Sequence, residues 1–233
     1  MIRIVVSSFY NTLINSEEAI PTSTMLEIDR IRNNKVLFAV STNGIYKEIL
    51  DYNKDFPFVD YIISLNGSYV YDVLNNRCLY KQKIAKNDIK KIYNSFKNYN
   101  IHYYTDNSIL NNYNETLNKE IYKIEIENFS NINIENINCN LSVLERNNKK
   151  YLEIISNKCN SFIAVNEINK INNISKKETL VIAGNDSDIE LVKNISNSYV
   201  VSNSSTKLKK IAKNKTSSND EHGVEKTIKN IIK

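Results

Sequence analysis

Ile2-Arg-Ile-Val-Val-Ser-Ser-Phe-Tyr-Asn-Thr-Leu-Ile-Asn-Ser16 is the stretch from which the rest of the chain is read. Residues 2–6 form a short, β-branched apolar run, the mark of a strand buried on both faces of a parallel sheet. The run stops at Ser7-Ser8 and passes into a polar turn, Tyr10-Asn11-Thr12. In open α/β sheets, ligands bind beyond the carboxyl ends of the central strands. The chemistry is therefore expected at residues 7–12, a stretch with no Asp, Glu, His, Cys or Lys.

Working outward, short apolar strands alternate with amphipathic helices, which predicts an α/β fold with a parallel sheet. A helix is expected over 22–33, with Met25, Ile28 and Ile31 on its apolar face. A buried strand over 36–41 leads through Thr42-Asn43-Gly44 into a helix over 44–52. Strand 61–65 closes on Asn66-Gly67, a strong turn dipeptide, and residues 70–80 read as a hairpin around Asn75-Asn76. From about residue 82 the pattern changes. A helix over 87–99 places Ile89, Ile92, Tyr93 and Phe96 on one face. Segments 101–104, 121–126 and 140–144 alternate as strands of a half-exposed antiparallel sheet, and the Asn/Ile-rich residues 131–140 read as exposed strand or loop. The parallel pattern returns with strand 179–184, helix 186–194 and a last strand 198–202, before helices near 204–213 and 224–232. The parallel-sheet domain is thus split, with an α+β insert between its halves.

Composition narrows the function classes. The 233 residues hold 31 Lys+Arg against 26 Asp+Glu, a net charge of +5 that is spread along the chain. Only 207–215 concentrates positive charge, and it reads as the polar face of a helix, so nucleic acid is not an expected partner. Cys78, Cys139 and Cys159 are an odd number without CxxC spacing, which indicates neither a disulfide framework nor a zinc site. No stretch has the length of a membrane span, and MIRIVVSS is too short for the apolar region of a signal peptide. A cytoplasmic protein with no membrane partner is expected.

Several segments resemble, in their order and spacing, a Cof-type member of the haloacid dehalogenase superfamily. They are the first strand with Thr12-Leu13-Ile14-Asn15-Ser16, Ser41, Ser64-Leu-Asn-Gly-Ser-Tyr-Val-Tyr-Asp72, Tyr151-Leu-Glu-Ile-Ile155, Asp188-Ile189, Val201-Ser-Asn203 and Ser218-Asn-Asp-Glu-His-Gly-Val224. The resemblance implies a Rossmann-like parallel-sheet core at 1–81 and 152–233, with an α+β cap at 82–151 inserted after the third strand. It also implies the activity usual in the family, magnesium-dependent hydrolysis of sugar phosphates and similar small metabolites.

The family's chemistry needs four motif elements, and the chain departs from the pattern within each of them. Its first strand ends in DxD followed by Gly-Thr; the first Asp attacks phosphorus and the second is the general acid/base. Here those positions are Ser8 and Tyr10, and the Gly is Asn11. Ser8 has no base beside it in sequence, and a tyrosine with its pKa near 10 is too weak an acid to replace a carboxyl group. Ser41 matches the family's phosphate-holding hydroxyl, with Thr42-Asn43 after it in place of Gly-Arg. The family's lysine falls on Ser161 in ungapped register, with Lys158 three residues earlier. The metal-binding Asp of GDxxND falls on Gly184, or on Asn185 if one residue is deleted, and only Asp188 persists. Asp186 and Asp188 also suit the first turn of a helix electrostatically.

The resemblance thus leaves no catalytic residue beyond the degenerate positions Ser8 and Tyr10. It gives Ser41, Thr42, Asn43, Ser161 and Lys158 as phosphate-binding candidates, and Asn185 and Asp188 as metal candidates. The expected function is a catalytically inactive pseudophosphatase with a binding or regulatory role. Its ligand would be a small anion or phosphometabolite, or a protein that docks on the cap. No cofactor is expected, Mg²⁺ being needed only if phosphatase activity survives. The alternative is a magnesium-dependent phosphatase of sugar phosphates or small metabolites with residual or altered activity. His102, in the insert, is expected to be structural, and His222 lies in the SNDEHGV turn, a segment that the resemblance places close to the active-site rim.

Overall fold

The computed structural model describes every residue except Asp55, Asn133 and Asn147. From the amino terminus run β1 (Ile4–Ser8), α1 (Thr22–Asn33), β2 (Leu37–Ser41), α2 (Tyr46–Asn53), β3 (Tyr61–Ser64) and the hairpin of β4 (Tyr69–Asp72) and β5 (Arg77–Lys81). There follow α3 (Lys86–Phe96), β6 (Ile101–Tyr104), β7 (Ile109–Leu110), α4 (Tyr113–Thr116), β8 (Lys123–Glu127), β9 (Cys139–Arg146) and β10 (Lys149–Ser156). The chain ends with α5 (Ser161–Asn172), β11 (Thr179–Ala183), α6 (Ile189–Asn194), β12 (Ser198–Val201), α7 (Thr206–Ile211), β13 (Asn214–Thr216) and α8 (Gly223–Ile231).

Among the described residues the strands form two sheets. One has eight strands in the order β13-β12-β11-β1-β2-β3-β4-β5; the other has five, β7-β6-β8-β10-β9. β1 sits near the middle of the first sheet, parallel to β11 on one side and β2 on the other. Its apolar run is buried on both faces because successive side chains point into different layers. Val5 packs with Ile28 of α1 and Ile228 of α8, whereas Ile4 and Val6 pack with Val165 of α5 and Leu191 of α6. The chain leaves β1 toward β2 and β3 and later returns through β11 and β12 on the other side. That places the carboxyl end of β1 at the point where strand order reverses, the position at which such sheets bind ligands.

The second sheet is antiparallel and two-faced. α3 lays Ile89, Ile92 and Phe96 on Ile124, Ile126, Leu152 and Ile154, which form one closed apolar cluster. The other face carries Lys123, Glu125 and Glu153. All three are buried, at 1%, 1% and 3% side-chain exposure. The expectation of a half-exposed sheet is therefore corrected at β8 and β10: their polar face is covered by loops of the first sheet.

Three further expectations change. The boundary at 151/152 cuts β10 in the middle, since Tyr151 to Ile155 pair with β8 and β9 and the second sheet ends at Ser156. The strand at 198–202 is not the last, because Asn214–Thr216 pairs parallel to β12 as a polar, partly exposed edge. The reading also assigns no element to 161–172, which forms α5, capped by Asn160 and buried at Ala164, Val165 and Ile168. Within 131–140, strand begins at Cys139, and Asn133 lies outside the described residues. No helix among the described residues is long and apolar enough to cross a membrane.

Candidate functional site

The site is built on the tight turn that follows β1. Asn11 takes φ 57°, in the left-handed region that Asn tolerates better than most residues. Buried Phe9 packs edge-on against Tyr52 and Tyr10, with ring centroids 4.9 and 5.1 Å apart. The Tyr10 ring points outward, and its hydroxyl donates to Glu48 Oε2 of α2 at 3.1 Å. Burial, and then the Glu48 charge, push the Tyr10 phenol well above its ordinary pKa. Behind the turn, Gly184 leaves β11 so close that a Cβ there would lie 2.1 Å from Thr12 Oγ1.

Ser8, the last residue of β1, is the register partner of Ser41 at the end of β2. Its hydroxyl donates to Asp188 Oδ2 at 2.5 Å, across 180 residues of sequence. The same oxygen accepts the Asn185 backbone N–H at 3.1 Å. Asp188 is buried, and that burial pushes its carboxyl up to about 6; the Ser8 hydroxyl and the backbone amides of Asn185 and Gly184 oppose the rise. The Asn185 side-chain amide donates to the Tyr10 carbonyl at 3.0 Å. Ser8, Asp188 and Asn185 thus close a network that joins the exits of β1 and β11.

The other candidates sit around this network in different ways. Ser41 is buried beside Ser8, and its hydroxyl has no hydrogen-bond partner among the described residues. Thr42 Oγ1 accepts the Gly44 N–H at 3.1 Å and shapes the turn. The carbonyl of Asn43 accepts Lys123 Nζ at 2.9 Å. Ser161 donates to the Ser187 carbonyl at 3.1 Å, which ties α5 to the Asp188 turn without reaching Ser8. Lys158 is exposed in the turn before α5, and among the described residues its ammonium makes no ion pair or hydrogen bond. His102 is bonded to Asn111, and His222 lies beside Ser23 and Glu225; neither is bonded to Ser8. The carboxyl-terminal turn pins the loop from outside, with Asp220 accepting from the Ser16 backbone N–H and hydroxyl, both at 2.7 Å.

Sequence reasoning missed Lys123, Glu153 and Asn66, the polar groups that join the second sheet to the loops of the first. A signal was present in Lys123-Ile-Glu-Ile-Glu127, where charged residues alternate with isoleucine. The alternation assigns the charges to one face, but it does not say whether that face meets water.

The sequence model of the haloacid dehalogenase-like hydrolases matches residues 9–148 and 104–228. The chain belongs to this family. A haloacid dehalogenase-like hydrolase from B. subtilis superposes with a TM-score of 0.87 at 17% identity, covering 99% of this chain and 100% of that one. A subclass IIB sugar phosphatase of the same superfamily gives 0.80 at 16% identity, with 98% of each chain covered. A HAD/Cof-like hydrolase from Plasmodium vivax gives 0.82 at 18% identity over 99% of this chain and 95% of that one. At these identities the likeness is one of fold: a core sheet with an inserted cap. No curated protein matches the chain. In this haloacid dehalogenase-like protein the eight-stranded sheet is the core, the five-stranded sheet is the cap, and Ser8 ends the core's first strand.

Proposed function

We propose that this chain is a catalytically inactive haloacid dehalogenase-like protein, a pseudophosphatase whose strand-end pocket serves binding or regulation. The observation that carries the reading is the charge of the pocket: among the described residues one buried carboxylate, Asp188, is bonded to Ser8, and no cation is bonded to Ser8, Ser41 or Asp188. Phosphoryl transfer depends on positioning and on stabilising charge at the transferring group. Here Lys158 is turned to solvent and Ser161 is bonded to a carbonyl. Tyr10, at the acid/base position, directs its raised-pKa hydroxyl to Glu48 and away from Ser8.

The donor set also does not fit the Mg²⁺ that the family's chemistry uses. A hard cation needs oxygen ligands, mostly carboxylate. The Asn185 group that meets the Tyr10 carbonyl is an N–H donor, and Ser8 donates to the one carboxylate present. Among the described residues no group of three or more His, Cys, Asp or Glu side chains is placed to hold a metal ion. The groups this pocket offers a small anion or phosphometabolite are the Ser41 hydroxyl and the nearby backbone amides, since the Ser8 hydroxyl already donates to Asp188.

One observation favours a second reading. The Ser8–Asp188 pair joins a hydroxyl to a buried carboxylate whose pKa, about 6, suits a general base near neutral pH. The altered-phosphatase alternative would use Ser8 as nucleophile and Asp188 as base. An assay with an activated aryl phosphate and a panel of phosphosugars, with and without Mg²⁺, separates the two. No turnover above background in the wild type, Ser8→Ala and Asp188→Asn is the expected result. Turnover that both substitutions abolish would overturn the pseudophosphatase reading. Titration calorimetry with phosphate, sulfate and phosphosugars tests the binding role, and silence there leaves the cap surface as the docking site for a protein.

A further inference from the structure

We propose that Lys123 is the pin of a latch that holds the cap closed on the strand ends of the core. Lys123 is one of the largest fully buried side chains in the protein. Its ammonium donates to Glu153 Oε1 of the neighbouring cap strand at 2.7 Å and to the Asn43 carbonyl of the core at 2.9 Å. Glu153 reaches the core as well, because its second oxygen accepts the Asn66 side-chain amide at 2.8 Å. Asn43 and Asn66 lie in the turns just after β2 and β3, at the edge where Ser41 sits. One cap ion pair therefore grips two core turns.

The alternative role for a buried cation here is to hold a ligand anion, and the contacts decide against it. An ammonium has three N–H donors. Two are committed to Glu153 and Asn43, and Glu125 Oε2 at 3.4 Å and the Tyr104 ring at 4.6 Å surround the remainder. Glu125 is in turn paired with Arg146, which stacks on Tyr151 at 4.2 Å. Two cations and two carboxylates cancel, which leaves no free positive charge for an incoming anion.

The latch is built to release. Asn66 Oδ1 is buried without a hydrogen bond, a cost of the closed state that water would remove on opening. Against it stands an apolar seal, in which Tyr104 and Tyr122 of the cap share a cluster with Leu65, Tyr69 and Tyr71 of the core. Beside this seal, Glu120 accepts the Tyr122 hydroxyl and pairs with Lys81, the last residue of β5, and with Lys83, in the segment that enters the cap, at 2.7 and 2.9 Å.

The test is hydrogen exchange by mass spectrometry on the full chain, reading the backbone amides of the 42–44 and 65–68 turns. In the wild type, the latch predicts protection of these turns well above that of exposed loops, and exchange at loop rates would overturn it. Asn66→Asp sets a carboxylate against Glu153 with no change of shape and is expected to speed exchange at both turns about tenfold, while β11 and β12 stay protected. The double variant Lys123→Met/Glu153→Gln removes the pair without leaving a lone buried charge, and the same acceleration is expected. If the double variant shows native circular dichroism and its turns exchange within threefold of wild type, the tyrosine seal alone holds the cap and the proposal fails. Should Asn66→Asp not fold, the double variant and the wild-type protection pattern decide.

Discussion

The strand ends of the core and the inner face of the cap meet across one interface, yet they treat polarity in opposite ways. The core side is nearly neutral. Ser7, Ser8, Thr12, Ser41, Thr42 and Ser64 are all buried there, and among the described residues Asp188 is the one carboxylate bonded to Ser8. The cap side is charged: Lys123, Glu125 and Glu153 are buried as deeply and joined by Arg146. Hydroxyls can be buried at modest cost when each finds a partner, whereas buried charges survive only in compensated groups. The charge that phosphate chemistry would need at the strand ends is thus found opposite them, already cancelled. In this protein the interface uses charge for holding the cap, and the pocket beneath it is left with hydroxyls.

The strongest way to break this contrast is Lys123→Ala, which leaves Glu125 and Glu153 buried with too little positive charge. Loss of one partner of a buried pair costs about 3–5 kcal/mol, and urea unfolding should show a loss of that order. A loss under about 1 kcal/mol would mean that water reaches the cap face. Lys123→Met/Glu153→Gln should recover most of it, since removing both partners removes the uncompensated charge.

Asp188 sharpens the comparison from the core side. Its carboxyl titrates near 6 in the folded chain against an ordinary 3.8, so the folded state keeps the proton to higher pH than the unfolded state. Stability from this group therefore falls as pH rises from about 4 to about 6, by about 3 kcal/mol at about 1.4 kcal/mol per pH unit. Surface carboxylates with lowered pKa, such as Glu120 and Glu178, slope the other way. The measurement is therefore the difference between wild type and Asp188→Asn across that window. A flat difference would show that Asp188 is hydrated.

Packing around the pocket predicts a smaller effect. Gly184→Ala drives a methyl group into Thr12 Oγ1 and should destabilise the fold by about 1–3 kcal/mol, read from the unfolding midpoint. An unchanged midpoint would mean that the turn after β1 yields freely. As a control away from both surfaces, Lys193→Ala breaks only an exposed i,i+3 pair with Glu190 and should stay within about 0.5 kcal/mol.

Much of this architecture was legible because apolar periodicity is a local property. Ile4 to Val6 of the run expected over 2–6 form a doubly buried strand, which continues through Ser7 and Ser8 where the run of apolar residues stops, and the helix expected over 22–33 is the helix observed. Asn214–Thr216 was not legible, since a polar tripeptide becomes a strand only through pairing with β12. α5 was legible in principle, from Asn160 as a cap and the spacing of Ala164, Val165 and Ile168. Of the candidate site, the positions of Ser8, Ser41, Asn185 and Asp188 were readable, but their bonding was not. Lys158 and Ser161 were placed by register alone. Whether either cation or hydroxyl reached the pocket depended on how α5 docks.

What the sequence by itself determined is the alternation of strands and helices, the interruption of a parallel sheet by an antiparallel one, and the lack of charged residues after the first strand. Each follows from side-chain spacing along a few consecutive residues. Only the tertiary structure decided that Ser8 meets Asp188, that Tyr10 turns to Glu48, and that Lys123 is buried between Glu153 and the Asn43 carbonyl. The physical reason is that a polar group's role depends on its partners and on its exclusion from water. Both arise where distant segments pack together, and no local spacing encodes them.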